Sequence, residues 1–528
     1  MRRGDVYMAD AREHVRSGKR APVEAIPGVV VFFMRSVDMI QGLATRLGVH
    51  DVKFLEPMTT RARRTLLAHA LATSAAHEAT SADAAKPQKY SDDSHPGAWR
   101  PVGLHTPPVA SPAHERVLWL MSALVETGEM LGGQCCVYLN GERLVDAAAG
   151  RMGPVDPRLV EPSSLFQLFQ AGCPLLSTLA LQLSEQKRLV LDDPIAASWP
   201  GFGKEHVTLT DVLHHAAGLE RLMPARAHLK QLLDGEEMER HVARTPLKPT
   251  TEQGSFGGAP YGWVLSGVLR AIAAKCGEAS ELDGLLTKHI LGPLNVNDEM
   301  MTRCGADDAE ANSRVVRHST AGLIKEMGLS LSDLAGASPP PPPEASLQPP
   351  VALASDGDDP FAKSAGQVDW ERFQGPQQLQ MPATFNSKRL VHGGLPGSSM
   401  LGSARALAQY YDALNRGTLV RRETLDRAIA SSRSGTLEDQ PVHWGLGWQL
   451  GSIEAAPKST FTSREPKRSH VLGHRGTGGT VGFCVPDAGL AVAITVSQLS
   501  TTKTATRRLL SLALNECGGW EAPSGGLV

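Results

Sequence analysis

An α+β domain, with strands near its start and its end sharing one antiparallel sheet, is the fold class this sequence predicts. Three observations predict it. The β-prone runs Gln134 to Leu139 and Arg143 to Val145 flank Asn140-Gly141, the dipeptide of a tight hairpin turn. Far along the chain, Thr480 to Val485 and Leu490 to Val496 flank the turn Pro486-Asp487-Ala488-Gly489. Between the two hairpins the spacing turns helical, at Leu175 to Gln186, around Val212, at Tyr261 to Lys275 and at Glu281 to Ile290. Strands at both ends with helices between them give a sheet flanked by helices, with a helical subdomain in the middle.

The outer elements follow in order. A helix is expected from about His114 to Gly128, before the first hairpin, and another from about Thr504 to Glu516, after the last. On the first strand Cys135 and Cys136 are neighbours, so alternation puts them on opposite faces and at most one is expected to face a core. Upstream, Phe33, Met34, Val37, Ile40, Ala44 and Leu47 recur at helical spacing. One helix with one apolar face has to pack against something else.

Composition excludes several classes. Of 528 residues, 41% are hydrophobic and 20% charged, as in ordinary globular chains. Lys plus Arg is 53 and Asp plus Glu is 55, a formal net charge of -2, so nothing in the charge balance favours nucleic acid or an anionic membrane. The longest apolar run, Val29 to Met34, stops at Arg35, so no transmembrane segment is expected. Seven cysteines with no Cys-x-x-Cys pair make neither a disulfide framework nor a zinc ribbon, and a reducing, intracellular setting is expected. Met1 to His14 carries charges and no apolar core, unlike a secretory signal. No cofactor or metal is expected.

Composition also divides the chain. Residues 1–72 form a first segment. Residues 73–112 shift to Ala, Ser, Thr, His and Pro without periodicity and read as a disordered linker. Residues 113–520 are the main domain. Within it, 329–380 contains the row Pro339 to Pro343 and reads as a disordered surface insertion, because a proline row donates no backbone hydrogen bonds.

The motifs of the main domain carry a resemblance. Leu165-Phe166-Gln167-Leu168-Phe169-Gln170-Ala171-Gly172-Cys173-Pro174 is followed by Leu191-Asp192-Asp193-Pro194, Trp199-Pro200-Gly201-Phe202 and Leu209 to Leu219. Tyr261-Gly262-Trp263, Leu291-Gly292-Pro293-Leu294, Trp444 to Trp448 and Gly473 to Gly479 come later in the same order. Together they resemble the serine β-lactamase-related family: class C β-lactamases, D-alanyl-D-alanine carboxypeptidases and related esterases. The resemblance covers roughly Glu115 to Arg314 and Gln380 to Glu516 and implies the β-lactamase/transpeptidase-like fold. Separately, Val29 to Pro57, with Arg35, Gly42-Leu43 and Leu55-Glu56-Pro57, resembles the last helices of UbiB-like atypical kinases. Plants and green algae fuse such kinases to β-lactamase-like domains. That implies a plastid or mitochondrion as the compartment and a kinase module as a partner. The kinase catalytic parts are not in this sequence; His95-Pro96-Gly97 lies in the linker, after the kinase-like tail.

Members of the family hydrolyse amides or esters through an acyl-enzyme. The serine hydroxyl needs an adjacent base, supplied by a lysine three residues on. A tyrosine of a Tyr-x-Asn loop shuttles the proton, and a strand carrying Lys/His-x-Gly contributes a backbone N–H to the oxyanion hole. Placed without gaps on that pattern, the serine position is Gln170 and the lysine position Cys173; the tyrosine position is Phe256 and the asparagine position Gly258. Only His474-Arg475-Gly476 survives. The resemblance therefore implies a catalytically degenerate hydrolase that binds or scaffolds an unidentified small molecule or protein. The alternative is a hydrolase or esterase using Cys173, whose thiol stands near a helix start, or a displaced serine. A literal Ser184-Glu185-Gln186-Lys187 lies further along the same helix, at a charged end. Plainer expectations attach to the rest. His474 bonds nearby backbone, His215 satisfies a helix end, Ser163 and Ser164 serve a turn, and Gly476 to Gly482 permits close packing without being a phosphate loop.

Overall fold

The computed structural model describes residues 111–527, except 225–226, 248–253, 279–280, 327–381, 439, 456–467 and 525. The helix expected near Val30, the kinase-like segment, the linker up to residue 110 and the proline-rich insertion lie outside the described residues.

The first helix, α1 (Pro112–Thr127), starts two residues earlier than the apolar spacing indicates. Ser111 caps it, its hydroxyl accepting the His114 N–H at 3.0 Å, and Pro112 is tolerated because the first turn has no use for its missing N–H. Gly128, at φ 76°, ends it. Strands β1 (Gly132–Leu139) and β2 (Glu142–Gly150) follow as a hairpin. Asn140 and Gly141 both take positive φ, 52° and 84°, as a type I′ turn requires.

The remaining strands of the main sheet are β3 (Gly254–Ser255), β4 (Arg433–Leu437), β5 (Gln440–Gly445), β6 (Trp448–Glu454), β7 (Arg468–Arg475), β8 (Val481–Val485) and β9 (Leu490–Val496). The order across the sheet is β2-β1-β9-β8-β7-β6-β5-β4-β3. Every pair is antiparallel except β3 with β4. First and last hairpins meet toward one edge of the sheet, with Gly133 opposite Val496 and Leu139 opposite Leu490. That is the expected closure of the domain's two ends into one antiparallel sheet.

Both faces of the sheet are covered. On one, Val117, Met121 and Leu124 of α1 and Leu509 and Leu510 of α5 (Thr504–Glu516) pack against Val137, Phe483, Val492 and Ile494. The other face carries the larger core. It holds the helices α2 (Cys173–Glu185), α3 (Gly258–Lys275) and α4 (Ala404–Asn415). In α3 apolar side chains are buried all round, from Tyr261 and Trp263 to Leu269, as befits a helix inside a subdomain. The two-sided cover corrects the expectation for the paired cysteines. Cys135 joins the first core and Cys136 the second, and both are fully buried. Alternation holds, but each face has a core to meet.

Candidate active site

Strand β7 forms one wall. Val471 faces the α1/α5 core and Leu472 the helical core, so the period of two puts His474 on the helical side as well. The strand ends at Gly476. A Cβ there would press into the Leu168 carbonyl oxygen, so only glycine lets the strand end approach the segment that leads into α2. Arg475, between them, points the other way. Its guanidinium donates to the carbonyls of Leu437 at 2.7 Å and Gly526 at 2.6 Å, and its N–H to Gln449 Oε1 at 2.8 Å. These bonds fix the strand end.

The opposite wall is the turn Phe169–Gly172 and the head of α2. Phe169 sits in the left-handed region at φ 48°, which is strained for a bulky residue. Its ring is held by His318 (centroids 5.5 Å apart) and Phe385 (5.1 Å). This backbone turn aims the next side chain at β7. Gln170 Oε1 accepts two hydrogen bonds, from the Thr477 N–H at 3.1 Å and the Thr477 hydroxyl at 3.0 Å. Cys173 points elsewhere, into the core, where its thiol donates to the Gly397 carbonyl at 3.2 Å. Burial pushes that thiol well above the usual cysteine range. A protonated, hydrogen-bonded and fully buried thiol is the opposite of the activated helix-start thiol that the sequence allows for.

Between the walls lies an aromatic cluster. Phe256 is anchored by its N–H to the Thr436 carbonyl at 3.0 Å. Its ring lies 5.6 Å from His474, 4.9 Å from His215 and 6.0 Å from Trp444. Gly258, at φ 57°, opens α3 and offers no side chain. His474 Nδ1–H donates to the Arg475 carbonyl at 2.7 Å, and burial pushes its pKa down to about 4. Bonding to nearby backbone is what the sequence leads one to expect of it. His215 meets expectation through its backbone, whose N–H donates to the Val212 carbonyl at 2.9 Å, and departs from it with its side chain. The end of the helix Leu209–Leu213 is satisfied by His214, whose Nδ1–H donates to the Thr210 carbonyl at 2.8 Å. His215 instead turns inward at φ 52° and accepts the Gly257 N–H at 3.4 Å. Burial, and next the charge of His474, hold its pKa well below the ordinary value. Nε2 of both histidines is buried without a hydrogen-bond partner.

A family model described as Beta-lactamase matches residues 120–515. The chain belongs to the beta-lactamase family. It is 23% identical over 381 residues to LipL, an esterase/beta-lactamase of Mycobacterium tuberculosis (strain ATCC 25618 / H37Rv), across 70% of this chain and 77% of that protein. Among solved structures it resembles a penicillin-binding protein homologue from Caulobacter crescentus, with TM-score 0.54 and 20% identity over 78% of this chain and 99% of the other. It also resembles a family VIII carboxylesterase, with TM-score 0.54 and 16% identity over 78% of this chain and 100% of the other. At such identities the shared property is the fold: an antiparallel sheet with helices, of the β-lactamase/transpeptidase type.

The residues gathered here are short of reactive groups. Gln170 stands beside the end of β7 and Phe256 beside His474, while Cys173 faces away from both. Displaced serines fare no better. Ser177 is fully buried, with its hydroxyl 2.7 Å from that of Tyr261, whose phenol burial pushes far up. A neutral phenol cannot take the serine's proton. In the literal Ser-x-x-Lys, Lys187 is exposed and lies beyond the helix, at φ 58°. Ser164 closes a turn, its hydroxyl accepting the Glu161 N–H at 2.9 Å. Among the described residues no His, Cys, Asp or Glu cluster is arranged to hold a metal ion, and no helix is long and apolar enough to cross a membrane. Thr477 and the Ser177–Tyr261 pair are what sequence reasoning missed. Thr477 alone had a usable signal, since it directly follows His474-Arg475-Gly476.

Proposed function

We propose that this member of the beta-lactamase family is catalytically silent and works by binding or scaffolding. One observation carries the reading. Where an acylating alcohol and its amine partner would stand, the chain has an amide, Gln170, that accepts from Thr477, and a thiol, Cys173, that donates to Gly397. Neither can open an ester or amide: the amide has no nucleophilic atom of use, and the thiol is held protonated. Phe256, against His474, has no hydroxyl to pass a proton. The thiol-hydrolase alternative has no feature of the site in its favour.

For the scaffolding role we propose a kinase module as partner. The support is the likeness of Val29 to Pro57 to the last helices of UbiB-like kinases. With it go the division into a kinase-tail segment (1–72), a linker (73–112) and an insertion (329–380), and an intracellular setting in a plastid or mitochondrion. The decisive experiment is turnover by the purified full chain of a chromogenic cephalosporin and of p-nitrophenyl esters, alongside a fluorophosphonate probe. The expected result is neither turnover above buffer nor labelling. Hydrolysis that disappears on substitution of a cleft residue would refute the proposal.

A further inference from the structure

We infer that the cleft carries its own ligand: the Gln170 carboxamide fills an acyl-oxygen site on Thr477 and has to swing out before any external carbonyl or carboxylate can bind there. The inference deepens the silent-member reading and rests on it, because an acylating residue at 170 would leave no such plug.

The geometry is specific. Two donors of one residue, the Thr477 N–H and its hydroxyl, converge on the single oxygen Gln170 Oε1, at 3.1 and 3.0 Å. An sp² oxygen with two lone pairs is the chemistry such a pair of donors selects, whether it belongs to an amide, an ester or a carboxylate. The side chain reaches them because Gly476 lets the strand end lie against the Leu168 carbonyl, and because the strained Phe169 directs residue 170 toward β7. Residues 170 and 477 are 307 positions apart, so the bond is made by the fold and not by a local turn. Gln170 and Thr477 are also the partly exposed members of this corner, whereas His474 and Gly476 behind them are buried. The plug therefore sits at the partly exposed edge of the site, on a flexible side chain against one receptor residue. Removing it leaves a buried-side donor pair open to solvent without disturbing the core beneath.

Any external ligand must compete with an intramolecular one whose effective concentration is on the order of millimolar or higher. That predicts weak binding by the native chain and a gain when the plug is shortened. The test uses the full chain and two probes, sodium phenylacetate for a carboxylate and phenylacetamide for a neutral carbonyl. Calorimetry gives affinity and the Thr477 amide resonance gives location. The variants Gln170→Ala and Gln170→Ser should bind at least one probe roughly tenfold more tightly than wild type and shift the Thr477 amide. The probe that binds names the chemistry. Gln170→Glu, which keeps length and an acceptor oxygen, should gain nothing. Equal affinity in wild type and a folded Ala or Ser variant, or a gain without movement of the Thr477 amide, would overturn the plug. Binding is read at equilibrium, so hydrolysis by the wild type would count against the silent reading and leave this result to be judged separately.

Discussion

The two sides of the candidate site, the end of β7 and the head of α2, differ in what their residues do. The β7 side has Gly476 in close approach to the Leu168 carbonyl, Arg475 tied to Leu437 and Gly526, and a Thr477 N–H that donates to Gln170. The opposite side has a strained Phe169 at the turn and a helix starting at Cys173, and its side chains bond within the protein. An amide bonds across the gap and a thiol bonds into the core. The lesson is that backbone geometry and side-chain chemistry are separable. Fold stability needs the turn, the glycine and the packed core, and none of these requires a nucleophile.

Experiments can strain that contrast. The largest effect is expected at Gly476→Ala, where a methyl would collide with backbone: a loss of about 3 kcal/mol or more in urea unfolding. Little or no loss would mean that the walls are not tightly joined. Next comes acid. His474 is neutral in the fold with a pKa near about 4, against an ordinary 6.5 in the unfolded chain. Between those values the unfolded chain binds the additional proton. Stability is therefore full above pH 6.5 and declines as the pH falls toward 4. His474→Gln should reduce the decline, measured as the urea midpoint against pH, while buried His215 and His318 keep part of it.

Thiol chemistry probes the α2 side. Cys276 is exposed and the other six cysteines are buried. A thiol reagent at pH 8 should modify Cys276 quickly and Cys173 at least ~100-fold more slowly, until denaturant is added. Fast labelling of Cys173 would favour the thiol-nucleophile alternative over the proposed silence. Smallest of all, Gly258→Asn should shift stability by less than about 1 kcal/mol, since asparagine tolerates left-handed backbone and the nearest atom to a Cβ there is Pro260 Cδ at 3.9 Å. On the proposed silent reading that variant should also show no turnover of the chromogenic cephalosporin.

Much of the fold was legible. Asn140-Gly141 announces a hairpin through a local φ requirement, and the helical spacing of Tyr261 to Lys275 announces a buried helix, both of which need only neighbours in sequence. Gln170, Cys173, Phe256 and Gly258 were legible as residue types. Their behaviour was not. The burial of both Cys135 and Cys136 depends on a second helical layer, and the exchange of roles between His214 and His215 depends on where a turn points after its helix ends.

By itself the sequence determined the order of elements, the hairpin turns and the residue types, an amide at 170 and a thiol at 173, on which the proposed silence rests. These follow from local propensity and residue chemistry, which travel with the chain. Tertiary structure alone decided which way each side chain faces. It sent Cys173 to Gly397, paired Ser177 with Tyr261 and laid the Gln170 amide on Thr477. Such contacts join residues far apart in sequence, and only closure of the sheet and its helical layers brings their donors and acceptors within bonding distance.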